Sequence, residues 1–325
     1  MTAPSNDTLA AALPAAEDAR LAARQNEQAG EMGRGIAYMS IAVATFTIMD
    51  ALVKWLAPNY PIMQIVFFRS LFAFVPLSIF IFRTGTLASL RTRKPVGHIF
   101  RSFMGLAAMS SFFYAYANMP LANAVAISFA APMFITALSV PLLGEAVGVR
   151  RWSAVIVGFL GVMVIVRPDA GIFDGVAVVA LSGTVFMALA MIFVRKLSRT
   201  ETSAAIVFYF SLSATVVSGV FMPSQWVTPN ALDLALLIAV GLIGGMAQIF
   251  MTNAFRSAPV AVIVPFEYTA IIWAVLLGYF LWGDIPGLHV WFGVAIVSAS
   301  GIYIVRREAN LGLRRGVARP LQPKR

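Results

Sequence analysis

From Gly35 to Val305 the chain is written in apolar stretches separated by short turns. Most are close to the ~20 residues a helix needs to cross a bilayer, and they predict about ten spanning helices. The predicted spans are Gly35 to Leu56, Pro61 to Phe82, Ile99 to Asn118, Leu121 to Leu143 and Trp152 to Val166. The second half gives Gly175 to Val194, Ser203 to Met222, Leu234 to Ala254, Val260 to Leu281 and His289 to Val305. Tight turns such as Met119 and Pro120 predict close antiparallel hairpins.

Basic residues near the helix ends set the orientation, because loops rich in Lys and Arg stay cytoplasmic. With the N-terminus inside, the inner loops carry Arg83, Arg91, Arg93 and Lys94, then Arg150 and Arg151, then Arg195, Lys196 and Arg199, then Arg256. Toward the outer side stand only Lys54 and Arg167, the latter followed by Asp169 and Asp174. An even helix count returns the basic C-terminus to the cytoplasm. Residues 1–34 lack the apolar core of a signal peptide and read as a disordered or weakly helical cytoplasmic tail. Residues 307–325 read as a basic cytoplasmic tail near anionic headgroups.

Composition narrows the chemistry. The chain is 60% hydrophobic and 12% charged, which leaves no room for a soluble catalytic domain. It has no cysteine and two histidines, His98 and His289, so neither a disulfide framework nor a metal cluster is expected, and no cofactor is. The net charge of +10 is absorbed by the cytoplasmic loops and tails and does not require a nucleic-acid partner.

Sliding the sequence on itself by 139 positions aligns Gly105 to Arg167 with Gly244 to Arg306 without a gap. The identities include Gly105/Gly244, Pro120/Pro259, Gly144/Gly283, Gly148/Gly287 and Trp152/Trp291, and Glu145/Asp284 keeps an acid in both copies. Many fall at turns and helix ends, where apolar composition alone predicts little. The expected fold is therefore an all-α integral membrane protein of ten transmembrane helices in two inverted five-helix repeats, residues 35–167 and 168–306. An odd number of helices per unit forces the halves to cross in opposite senses.

Two segments carry a family resemblance. MPLANAVAISFAAPMFITALSVPLLGE, from Met119 to Glu145, followed by Trp152 and Gly158, resembles the signature region of EamA-type members of the drug/metabolite transporter superfamily. APVAVIVPFEYTAIIWAVLLGYFLWGD is similar to the equivalent helix of the second copy of that domain. The resemblance spans Gly35 to Arg306 and points to the branch with S-adenosylmethionine and riboflavin uptake proteins. It implies ten helices, a central cavity and alternating access.

Ionisable groups inside spans cost at least ~2.5 kcal/mol each on insertion scales and are candidate sites by default. Glu267, seven residues into a helix that starts at the cytoplasmic side, lies roughly 10 Å deep. It reads as a substrate-binding or proton-coupling carboxylate, or as a hydrogen-bonding group between helices. Asp50 and Lys54 stand one turn apart and can neutralise each other; Arg69, at similar depth, is the alternative partner of Asp50. Asp50 and Arg69 read equally as a structural pair or as cavity groups. Arg83, His98 and Arg101 are close enough to the inner surface to snorkel. Glu145 and Asp284 read as turn or gate residues. The uncharged candidates for contact with a flat or zwitterionic solute are Tyr114, Asn118, Asn123, Gln248, Asn253, Tyr268 and Trp273, with packing between helices as the other reading. Pro132 and Pro265 predict kinks beside the cavity, and Gly241 with Gly245 predicts a close helix contact.

The function expected is secondary transport of a small organic metabolite such as an amino acid, vitamin or cofactor-like solute. Its partners are the solute, a coupling proton and membrane lipids. No GxxxxGK[ST] loop supports nucleotide-driven pumping. The alternatives are an ion channel, which would show a pore-lining stripe or filter, and a membrane enzyme, which would show clustered catalytic side chains. The orientation is open to test. Single cysteines at Asn59, Asp169 and Gln225 should react with an impermeant thiol reagent from outside intact cells, and cysteines at Thr92 and Ser198 should not. Outside labelling at position 92 would reverse the assignment.

Overall fold

Hydrocarbon offers an exposed peptide N–H or C=O no partner, so a spanning chain closes its hydrogen bonds within each segment. The computed structural model describes residues 6–84, 90–143, 148–166, 175–197, 200–258 and 260–317, and among them the regular elements are all helical. Glu145, Arg167, Asp169, Asp174, Ser198 and Arg199 lie outside the described residues.

The first half comprises α1 (Asn6–Leu56), α2 (Ile62–Phe72), α3 (Phe74–Thr84), α4 (Pro95–Asn118), α5 (Leu121–Ser128), α6 (Ala131–Leu143) and α7 (Val149–Val166). The second comprises α8 (Gly175–Leu197), α9 (Ser203–Phe221), α10 (Ala231–Ser257), α11 (Val260–Ile263), a 3-10 segment (Val264–Thr269), α12 (Ala270–Trp282) and α13 (Leu288–Val317). Among the described residues seven spans are long and apolar enough to cross a membrane, and Trp152–Val166 and Leu288–Ile304 are shorter apolar helices. Of the two readings of the N-terminal tail, disordered or weakly helical, the structure has the helical one: α1 starts at Asn6, which suits the Ala, Leu, Arg, Glu and Gln content of the segment. The C-terminal helix likewise runs to Val317, past the Val305 boundary.

Three spans are interrupted, each beside a proline. Pro76 cannot donate to the Phe72 carbonyl, and α2 passes into α3 at Ala73. Pro132 cannot donate to Ser128, and α5 ends there; the Ser128 hydroxyl donates back to the Val125 carbonyl at 2.7 Å. Pro265 opens the 3-10 segment between α11 and α12. The last two breaks are equivalent in position. Leu121, Ala131 and Leu143, which bound α5 and α6, lie 139 residues before Val260, Ala270 and Trp282.

Helix packing follows the same correspondence. The long contacts are α1 along α10 and α4 along α8, and α2 meets α9, α5 meets α12 and α7 meets α13. Shifting the numbering by 139 exchanges the first two pairs and returns each of the other three pairs of spans to itself. Close approach depends on missing side chains. A Cβ at Gly241 would come 2.7 Å from the Phe68 carbonyl oxygen, and one at Gly245 would come 3.1 Å from Ala73 Cα. The expected GxxxG contact is thus α10 against α2 and the start of α3.

Two groups of polar contacts also join the halves, one at each end of the bundle. At one end Lys54 Nζ donates to the Met119 carbonyl at 2.8 Å, lies 3.5 Å from Asp284 Oδ2 and stands 5.1 Å over the Trp282 ring. Lys54 therefore pairs across the halves, not with Asp50 one turn away. The Tyr60 hydroxyl donates to Asp233 at 2.8 Å, and the Gln64 amide exchanges two hydrogen bonds with the Val227 backbone. At the other end His98 Nε2 lies 3.6 Å from Glu201 Oε2, the Arg93 N–H donates to Glu201 Oε1 at 3.1 Å, and the Tyr209 hydroxyl donates to the Leu90 carbonyl. His98 is buried in this contact and packs at 4.7 Å against the tilted ring of Tyr209, so it does not snorkel. Burial works to raise the Glu201 carboxyl, but the Arg93 N–H, the Thr92 hydroxyl and His98 together hold it below its ordinary value.

Two predictions follow from these contacts. Gly241→Val forces α10 away from α2 and should destabilise the protein by about 1–3 kcal/mol, read as a lower thermal midpoint. Gly33→Ala, which meets nothing within 4 Å, should leave that midpoint unchanged. A carboxylate depressed in the folded state adds stability above its unfolded value and loses it as pH falls through the folded one. Acidification below the ordinary value of 4.5 should therefore remove a stability component from the native protein that Glu201→Gln already lacks. Parallel pH-stability curves for the two proteins would refute that role.

Candidate functional site

The charged groups inside the bundle come together where α1, α2, α4 and α9 meet. Asp50 on α1 accepts a hydrogen bond from the Tyr116 hydroxyl of α4 and faces the charge of Arg69 on α2. Arg69 is 8% exposed despite its charge. Its guanidinium carbon stands 5.9 Å from the centre of the Phe210 ring on α9, and Arg101 of α4 stacks on the same ring at 4.1 Å. The two guanidinium groups are near enough to interact electrostatically. Arg69 Nε, Arg101 Nε and Arg101 Nη1 are buried without a hydrogen-bond partner.

Glycines make room for both cations. A Cβ at Gly105 would come 2.5 Å from Arg101 Nη1, and one at Gly244 would come 3.4 Å from Arg69 Nε. These two glycines are equivalent under the 139-residue shift. Beside them lies a narrow cleft, its space for water-sized groups about 20 Å³, lined by Arg69, Phe210, Ser211, Gln248 and Thr252 among others. The Thr252 hydroxyl is turned back on the Gln248 carbonyl at 2.8 Å.

Glu267 forms a second locus. It lies in the 3-10 segment that Pro265 opens, half-buried, and that segment packs against α1, α12 and α13. None of the described ion pairs includes Glu267. Its neighbour Tyr268 packs edge-on against Phe129 at 4.8 Å, at the break between α5 and α6. The Tyr268 hydroxyl occupies the space left by Gly301 on α13 and has no hydrogen-bond partner. The two interrupted spans therefore touch at their breaks.

Of the residues singled out from the sequence, the structure gathers Asp50, Arg69 and Gln248 at the first locus and Glu267 with Tyr268 at the second. Asn123 is half-buried on α5, its Oδ1 unpartnered. Asn253 is half-buried beside the cleft residue Thr252. Tyr114 and Asn118 are exposed on α4, the Asn118 amide donating to the Tyr114 carbonyl at 2.8 Å, and Trp273 is exposed on α12. Tyr116 and Phe210 were not singled out, and Arg101 was placed at the surface. Its spacing from Gly105, one helical turn, is the signal that could have found it.

The comparisons with known proteins agree with this architecture. The sequence profile of the EamA-like transporter family matches residues 33–167 and again residues 175–307. The S-adenosylmethionine uptake transporter of Rickettsia prowazekii is 26% identical over 84% of this chain and 93% of its own length. The pseudopaline exporter of Pseudomonas aeruginosa is 32% identical over 82% and 94%. The riboflavin transporter of Rhizobium johnstonii is 27% identical over 84% and 91%. A protein of known crystal structure matches with a TM-score of 0.59 over 88% of this chain and 98% of that one, at 16% identity, which speaks to fold alone. With the profile covering both halves, the chain belongs to the EamA-like transporter family, within the drug/metabolite transporter superfamily, and is a multi-pass membrane transporter and not an enzyme.

Proposed function

We propose that this protein is a secondary carrier that moves a small organic metabolite across a bacterial inner membrane by alternating access. It crosses ten times in two inverted five-helix repeats, with both termini cytoplasmic. The observation that carries the reading is the pair of spans broken at equivalent positions, 121–143 and 260–282, which meet through Phe129 and Tyr268 next to Glu267. Broken helices in corresponding places of two halves are how carriers build a midplane site. The pseudo-two-fold pattern of helix pairs supports the same reading.

Alternating access needs a closure at each end that can open in turn. The Lys54–Asp284 group, with the Tyr60–Asp233 and Gln64–Val227 bonds, joins the halves at the end assigned to the outside. The His98–Glu201 group joins them at the cytoplasmic end. Each closure consists of a few exchangeable polar contacts, which suits groups that must part and reform. The cargoes named for the relatives, S-adenosylmethionine, riboflavin and pseudopaline, favour an amino-acid, vitamin or cofactor-like solute. They include both uptake and export, so the architecture serves either direction.

In this reading Glu267 binds a cationic group of the solute or carries the coupling proton. Its repeat counterpart is Ser128, so the carboxylate is not a packing device common to both halves. Proteoliposomes holding the purified protein should show saturable counterflow of a solute drawn from amino acids, S-adenosylmethionine and riboflavin. Unsaturable ionic current would instead indicate a channel. Glu267→Gln should fold in normal yield yet reduce counterflow at least roughly 10-fold, ~1.4 kcal/mol, or change its pH profile. Unaltered rates with an unaltered profile would remove Glu267 from the mechanism.

A further inference from the structure

We propose that Arg69 and Arg101 together form the anchoring site for a carboxylate of the transported solute. The inference rests on the carrier reading above and specifies one chemical group of its cargo.

The first observation is one of charge. The groups that meet at this locus are Asp50, Tyr116, Arg69 and Arg101. The single carboxylate of Asp50 is engaged by the Tyr116 hydroxyl and by Arg69. Arg101 has no acidic partner among the described ion pairs, and the nearby charge acting on it is another guanidinium. The locus therefore holds one buried positive charge in excess. A buried charge of that kind is expected to be paired.

The second observation is one of unused hydrogen-bonding capacity. Three guanidinium N–H positions, Arg69 Nε, Arg101 Nε and Arg101 Nη1, are buried and make no hydrogen bond. Buried donors almost always find acceptors, and an acceptor-only group that takes several donors at once answers all three. The planar fork of arginine matches the two oxygens of a carboxylate, and the single excess charge matches its single negative charge. Lys would not offer that fork.

The third observation is that the guanidinium groups are held in place. Phe210 carries both on its ring, at 4.1 Å for Arg101 and 5.9 Å for Arg69. Gly105 and Gly244 leave the backbone open behind them. A surface-seeking Arg101 would extend toward water; this one is folded against an aromatic ring and the backbone of its own helix. Arg69 also lines the narrow cleft that Phe210, Ser211, Gln248 and Thr252 share, so a solute that entered as this cleft widened would meet the cation. Gln248 and Ser211 stand in the same wall to receive the polar remainder of the solute.

The test uses the purified full-length protein in detergent and reads its thermal midpoint. Sodium acetate should raise the midpoint above that in sodium chloride of equal ionic strength, and acetamide should not. Arg101→Gln should abolish the difference, Arg101→Lys should keep part of it, and the solute-free midpoint of Arg101→Gln should equal or exceed that of the native protein. A lower solute-free midpoint for Arg101→Gln with no acetate-specific effect in the native protein would make Arg101 structural and overturn the proposal. Stabilisation by phosphatidylglycerol but not by acetate would assign the cations to lipid and overturn it equally. The carrier reading is judged separately by counterflow in proteoliposomes. Absent counterflow with an intact acetate effect rejects the carrier alone, and normal counterflow without the acetate effect rejects this anion site alone.

Discussion

Unpaired polar groups are costly wherever the solvent is hydrocarbon, and this constraint governs both the backbone and the side chains of the protein. A proline in a spanning helix frees a carbonyl four residues back, so Pro76, Pro132 and Pro265 can stand only where neighbouring chain encloses the break. The breaks are accordingly covered by neighbouring chain: that between α5 and α6 meets Tyr268 of the 3-10 segment through Phe129, and that between α2 and α3 packs against Gly245 of α10. The same rule keeps Asp50, Arg69 and Arg101 together, because a lone charge at that depth would be expelled toward water or neutralised. Backbone interruption and buried charge are two results of one requirement, met at two places in the bundle.

Charge pairing away from that region has another character. Lys54 with Asp284, and His98 with Glu201, join segments distant in sequence at opposite ends of the bundle. Their partners are few and their geometry is loose, 3.5 and 3.6 Å, in contrast to the interlocked glycine contacts of α10 with α2. The helix pairs interlock at their glycines, and the end contacts are polar bonds between single residues, a division that suits the alternating access proposed above.

Much of the helix layout was legible from the sequence because turns in a membrane protein are short and marked. Leu56, Asn118, Leu121, Leu143, Val166, Gly175, Ser203 and Val260 bound helices as expected. The locations of the kinks followed from Pro132 and Pro265. The candidate site was legible only in part. Depth along a helix can be counted, but rotation about its axis cannot, so Arg101 reads as a residue near the surface until α9 supplies Phe210 beside it. Lys54 has a local partner in the sequence and takes a distant one in space, since Asp284 arrives with a helix 230 residues later. Tyr116 and Phe210 carry no signal of their own in an apolar chain with 25 phenylalanines and 8 tyrosines.

The equivalence of Gly105 and Gly244 reaches beyond packing. The two glycines and the two helix breaks recur at a spacing of 139, but the charges beside them do not: Arg101 has Val240 as its counterpart, and Glu267 has Ser128. The scaffold is duplicated and the charges set within it are single. If those charges recognise the cargo as proposed above, a change of cargo needs only a few unduplicated side chains to change, with the paired framework untouched. Proteins named for cargoes as unlike as riboflavin and pseudopaline can descend from one such bundle without redesigning how it moves.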